Sequence, residues 1–344
     1  MSRIAIIGAG AWGTALSIVL GRKGRHHVWL WAYEKEVRDA IASTRANALF
    51  LPEQQIPDSV VPTGSLEEAL TTADIVVSAM PSQHCRRLFH EITPHLNPGT
   101  MVVSATKGLE QTTFLRMTEV IDLVTGERGI RCRVGALSGP TFAAEVARGD
   151  PTAITIASSD AELAATVQQE FSDPAFRVYT NDDVVGVELG GALKNITAIA
   201  AGVCHGLGLG HNSVAALITR GLAEITRLAV ACGGRSETMS GLAGLGDLVL
   251  TCTGALSRNR SIGVELGRGR KLPEIISSMH GMVAEGIFTT QAALQLARTR
   301  GVDMPITEQM HAILNQGKSP RDAIADLMSR TSKSEIHIPA TPAQ

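Results

Sequence analysis

The chain opens on RIAIIGAGAWGTAL, an apolar run that leads straight into Gly8, Gly10 and Gly13 and then into an apolar helical pattern. These glycines stand in G-x-G-x-x-G register at a strand–turn–helix junction, and no other feature constrains the fold as strongly. The first glycine permits a tight turn. The second lets backbone approach a pyrophosphate, and the third allows close helix–strand packing. The helix N-terminus adds unpaired N–H groups and the positive end of its dipole. Glycines also occur in ordinary tight turns. Here the strand and helix context and the N-terminal position put dinucleotide binding ahead of that plainer reading.

The rest of the first half agrees. The pattern predicts a helix over roughly 11–23, a strand in HVWLWA and a helix from about 34; strand-like runs follow in ADIVVSAMPS, TMVVSATKG, CRVGALSGP and TAITIAS. Strands without polar alternation, separated by helical patterns, predict an α/β fold with a parallel, doubly wound sheet of Rossmann type. From about residue 183 the period becomes helical. In VAALITRGLAEITRLAVACGG, Arg220, Glu224 and Arg227 recur at i, i+4 and i+7 as a polar face opposite an apolar stripe. The expected division is a dinucleotide-binding domain at 1–182, an all-helical substrate domain at 183–331 and a disordered tail at 332–344.

Composition excludes several function classes. With 344 residues, a formal charge of −2 and no long single-sign block, the chain has no electrostatic footprint for nucleic acid or an anionic membrane. The longest small-apolar stretch, 189–210, is interrupted by Lys194, Asn195 and His205 and makes a poor membrane span. Five cysteines without a C-x-x-C pair, and an N-terminus that enters a strand at once, predict a cytoplasmic protein with reduced thiols. The histidines follow no metal-ligand spacing, so no metal site is expected. No G-x-S-x-G elbow or G-x-x-x-x-G-K-[ST] loop is present.

The chemistry-bearing residues are few. Near the end of the second strand, Glu34 could bind a ribose 2′-hydroxyl, whereas Lys35 or Arg38 could accept a 2′-phosphate, which leaves NAD and NADP both open. Lys107 in SATKGLE, and Ser138, Gly139 and Thr141 in LSGPTF, fall where open α/β sheets bind ligands. Asp247 is a lone acid in an apolar, glycine-rich stretch. Arg258 and Asn259, after Ser257, suit phosphate recognition from a loop before a helix. In GGALKNITAIAAG, Lys194 shares a helical face with Gly190, Gly191, Thr197, Ala198 and Ala201. A lysine on such a cleared face could trade protons near neutral pH, its pKa lowered by desolvation, with the gap admitting a small substrate and the end of a dinucleotide. A nicotinamide-dependent dehydrogenase follows. A β-hydroxyacid dehydrogenase would share the layout without the Arg–Asn corner, and a non-catalytic dinucleotide sensor would need neither Lys194 nor Asp247.

These residues resemble the bacterial NAD(P)-dependent glycerol-3-phosphate dehydrogenase family over nearly the whole chain, through GAGAWGTAL, NALFLPE, ATKGLE, SGPTFAAEV, GVELGGALKN, GLAGLGDLVLTCT, SRN and EGIFTT. The resemblance implies reduction of dihydroxyacetone phosphate to sn-glycerol 3-phosphate, the glycerophospholipid backbone, by a cytoplasmic homodimer. It implies Lys194 as proton donor and acceptor, assisted by Asp247. Lys107, Gly139, Thr141, Asn195, Asp247, Ser257, Arg258 and Asn259 would line the substrate site. Ala11, Trp12, Tyr33, Phe50, Lys107, Ala143, Arg258, Val283 and Glu285 would touch NAD or NADP. Tyr33 stands where the family often has a basic residue or histidine, and Phe50 where it often has tyrosine.

Overall fold

The computed structural model describes residues 2–279, 284–332 and 334–335. Ten strands run β1 Arg3–Ile7, β2 His27–Trp31, β3 Ala46–Asn47, β4 Leu51–Gln55, β5 Val60–Thr63, β6 Ile75–Ser78, β7 Met101–Ser104, β8 Arg133–Ser138, β9 Thr152–Ala157 and β10 Phe176–Asn181. Eight form one sheet in the order β10-β9-β8-β7-β6-β1-β2-β5, while β3 and β4 make a separate two-stranded ribbon. Successive β1 residues point to opposite faces: Ile4 and Ile6 join a core with Leu16, Leu30 and Phe171, and Ala5 and Ile7 join one with Phe89, Val102 and Ile121. Both faces are covered, which is why the strands read as unbroken apolar runs.

One pairing departs from the expected all-parallel sheet. β9 runs antiparallel to β8, with Ala136 opposite Ala157 and Ser138 opposite Thr155. A parallel return must carry the chain back along the full strand. The intervening helix Ala143–Arg148 has six residues, about 9 Å, against roughly 20 Å for a six-residue strand. The chain therefore re-enters the sheet from the end at which it left.

The helical half is built around Val184–Gly206. By length and composition this helix could cross a membrane, yet 89% of its apolar window is buried inside the protein. Arg258–Gly267 crosses it so closely that a Cβ on Gly263 would lie 1.9 Å from the Ile199 carbonyl oxygen. Glu188 ties the central helix to the sheet half: it accepts from the Thr118 amide at 2.9 Å and from Arg116 at 2.6 Å.

The long helix His211–Ala231 forms, but its polar stripe is not all solvated. Glu224 is 3% exposed and accepts the amides of Ile306, at 2.6 Å, and Thr307, at 3.2 Å, at the start of Pro305–Gln316. Helical periodicity placed it on a polar face; a neighbouring helix end supplied the donors that let it be buried.

Candidate active site

The three glycines of the opening turn do different work. Gly8 has φ +119°, where a side chain would be strained and its Cβ would meet the Ala79 carbonyl oxygen at 2.8 Å. A Cβ on Gly13 would stand 1.9 Å from the Gly8 carbonyl oxygen, so this position sets the contact between helix and turn. Over Gly10 there is nothing within 4 Å. Gly10 is the N-cap of Ala11–Arg22, which has no side-chain cap and no acid in its first turn. Its leading amides therefore lack intrahelical acceptors, and the buried Trp12 indole Nε1 has no partner among the described residues. Open space, free donors and a helix N-terminus fit a dinucleotide pyrophosphate. Asn47 braces the turn, donating to the Ala9 carbonyl at 2.8 Å and to the Thr14 hydroxyl at 2.9 Å. Its own oxygen accepts the Phe50 amide. Tyr33 is exposed at the end of β2, Phe50 is half-buried and packs with Trp12 and Ala143 onto the sheet core. Lys35 pairs with Asp39, and Arg38 lies against Gly64.

Beyond the C-terminal ends of β7 and β8, loops meet the central helix. Lys107, three residues past β7, donates to the Gly139 carbonyl at 2.8 Å, to the Thr141 hydroxyl at 3.3 Å and to Asp247 Oδ2 at 2.7 Å. Lys194 donates to Asp247 Oδ1 at 2.6 Å and to the Thr251 hydroxyl at 2.6 Å. Asp247 is 1% exposed and Lys194 6%. Burial pulls the Lys194 pKa down to about 8; Asp247 holds it up, and the neighbouring Lys107 lowers it further. Two ammonium groups against one carboxylate leave an excess of positive charge here, suited to a developing oxyanion.

The cleared face around Lys194 is used for packing. Space beside Gly190 is taken by the Ala243 carbonyl, 2.6 Å from where a Cβ would be, and space beside Gly191 by Ser138 Oγ, at 2.4 Å. Thr197 meets Gly221 in the same way. The glycines bring backbone close enough for the lysine to reach Asp247; they do not leave the gap expected from sequence.

The Arg–Asn corner is a helix start and not a loop. Ser257 caps Arg258–Gly267, accepting from the Arg260 amide at 3.2 Å, which puts Arg258 and Asn259 in the first turn. Asn259 is committed to protein contacts, donating to Asn195 Oδ1 at 2.9 Å and accepting the Gly286 amide at 3.0 Å. Arg258 remains exposed. Glu285 opens the helix Glu285–Thr299, and its charge interacts with Arg258. Val283 lies outside the described residues, as do residues 333 and 336–344 of the expected tail.

Sequence reasoning missed Thr251, Asn47 and Ser82, which donates to Glu285. Thr251 was findable, since it stands one helical turn beyond Asp247 in DLVLT. Asn47 and Ser82 reach their partners only through long-range folding.

Comparison with known proteins shows the family. The family model for the NAD-dependent glycerol-3-phosphate dehydrogenase N-terminus matches residues 3–164, and that for the C-terminus matches 183–325. Glycerol-3-phosphate dehydrogenase (NAD(P)+) of Koribacter versatilis is 69% identical over 336 residues, which is 98% of this chain and 99% of the relative. The Acidobacterium capsulatum protein of the same name is 55% identical, over 97% of this chain and all of its own length. The crystal structure of glycerol-3-phosphate dehydrogenase from Coxiella burnetii superposes with a TM-score of 0.91 at 40% identity, covering 96% of this chain and 99% of that one.

Proposed function

The chain belongs to the NAD-dependent glycerol-3-phosphate dehydrogenase family, and from that premise we propose how its residues divide the work. The reaction is the reversible, NAD(P)H-dependent reduction of dihydroxyacetone phosphate to sn-glycerol 3-phosphate, which supplies the glycerophospholipid backbone. In our reading residues 1–182 hold the dinucleotide and residues 183–331 supply the proton-transfer and phosphate-binding groups.

Bound nicotinamide supplies the hydride. Lys194 gives its proton to the carbonyl oxygen in the reducing direction and recovers one in the oxidising direction. The observation that carries this is a buried ammonium, lowered to about 8 and held by Asp247 and Thr251. Asp247 keeps both ammonium groups in place, and Lys107 adds charge on the side of Gly139 and Thr141. Arg258, at a helix N-terminus capped by Ser257, binds the phosphate. Asn195 and Asn259 line that pocket while fixing each other.

For the cofactor, Gly10 and the amides of Ala11 and Trp12 would hold the pyrophosphate, in a turn shaped by Gly8 and Gly13. Tyr33, Phe50 and Ala143 would flank the nucleotide, and Lys107, Arg258 and Glu285 would reach its nicotinamide end. The assembly is a cytoplasmic homodimer. Five free thiols suit a reducing compartment, and exposed Val230, Val249 and Leu256 on the helical half offer apolar surface for a second copy.

The test is an absorbance assay of NADH and NADPH oxidation with dihydroxyacetone phosphate, beside unphosphorylated dihydroxyacetone. Turnover confined to the phosphorylated ketone is the expected result. Equal rates on both ketones would remove the phosphate role of Arg258.

A further inference from the structure

Glu285 is held from the other half of the molecule. Its Oε1 accepts the Ser82 amide at 2.9 Å, and its Oε2 accepts the Ser82 hydroxyl at 2.6 Å and Gln83 Nε2 at 3.4 Å. Ser82 lies in the turn after β6, more than two hundred residues away in sequence. It is 3% exposed. The contact is shaped from a third side, because a Cβ on Gly108 would stand 2.6 Å from Ser82 Oγ and 2.9 Å from Glu285 Oε2. Gly108 follows Lys107, so the grip sits directly beside the lysine–carboxylate cluster.

A carboxylate has about four acceptor positions. Ser82 and Gln83 use three, leaving Oε1 free to accept from a hydroxyl. Arg258, the charged group acting on Glu285, favours its ionised form, and burial opposes that. A carboxylate so placed suits a cofactor ribose hydroxyl only while its orientation is fixed.

We propose that Ser82 is a positioning residue for cofactor binding: its amide and hydroxyl, in space kept clear by Gly108, fix the orientation of the Glu285 carboxylate beside the lysine–carboxylate cluster. The inference rests on the reading above that Glu285 belongs to the nicotinamide end of the site. Without the hydroxyl, Glu285 keeps one amide and a long amide contact, and its free oxygen turns away.

The experiment is calorimetric titration of NADH into the full-length protein and its variants, with steady-state kinetics alongside. Losing a hydrogen bond to a charged group should raise the NADH Kd of Ser82→Ala about tenfold, and the KM for NADH with it. The KM for dihydroxyacetone phosphate and the melting temperature should stay close to wild type. Ser82→Thr, which keeps the hydroxyl, should restore tight binding. Gly108→Ala should weaken binding from the opposite side and tests the grip even where a Ser82 variant folds poorly. Wild-type NADH affinity in Ser82→Ala, or weak binding that Ser82→Thr fails to restore, would overturn the proposal. Absence of NADH and NADPH binding to the wild-type protein would instead overturn the reading of the cofactor site itself.

Discussion

Lys107 and Lys194 hold opposite oxygens of one carboxylate. The first reaches Asp247 Oδ2 at 2.7 Å from the sheet half, the second Oδ1 at 2.6 Å from the central helix. Asp247→Asn keeps the shape and removes the charge that holds Lys194 up. Breaking such a buried arrangement costs roughly 3–5 kcal/mol. The expected outcome is a fall in melting temperature and a kcat reduced by about 10²-fold or more, read by calorimetry and by turnover at saturating substrate.

Lys194 gives a pH dependence whose sign is fixed. Burial lowers its folded pKa to about 8 from an ordinary 10.5, so the ammonium donor is lost as pH rises through about 8. Reduction of dihydroxyacetone phosphate should therefore decline through that pH, and oxidation of glycerol 3-phosphate should rise. Folded stability runs the other way from activity in reduction. The cost of the buried ammonium is full below 8 and is relieved between 8 and 10.5. Profiles of kcat/KM in both directions check this, and a reduction rate flat from pH 7 to 9.5 would contradict it.

Lys194→Met removes the proton donor while Asp247 keeps Lys107. Turnover should drop by about 10³-fold, with NADH still bound and the melting temperature unchanged or higher, because an aliphatic side chain replaces a buried charge. Near-normal kcat in this variant would reassign the proton transfer.

Gly10→Ala and Gly13→Ala should separate binding from folding. Position 10 has φ −67° and open space, so alanine folds there but places a methyl where the pyrophosphate would lie. At position 13 the methyl meets the Gly8 carbonyl at 1.9 Å, and overpacking of this kind costs roughly 1–3 kcal/mol. NADH affinity should fall in both variants and the melting temperature only in the second.

Glu224 offers a test away from the site. Burial raises its pKa to about 7 from 4.5, so the folded protein binds its proton more tightly than the unfolded chain. Its contribution to stability accordingly declines as pH rises from 4.5 to 7, by about 3 kcal/mol. Urea unfolding of Glu224→Gln should show a shallower loss of stability over that range than the wild-type protein.

The local chemistry was legible in the residues alone. The glycine register, the alternation of strands with helices, the lone acid Asp247 and the lysine on a cleared face are each set by neighbours within a few residues, and a periodic pattern exposes such relations directly. Tertiary structure decided the rest, because it depended on which distant groups could satisfy one another. β9 is antiparallel because a six-residue helix is too short to carry the chain back along β8. Glu224 is buried because the start of a helix eighty residues later supplies the amides. Gly190 and Gly191 serve packing because Ala243 and Ser138 arrive from elsewhere. Ser82 acquires a partner only when the two halves meet. A charge or an open face in sequence states a requirement; which atoms meet it is fixed by long-range packing, and that is where the grip on Glu285 and the sharing of Asp247 were settled.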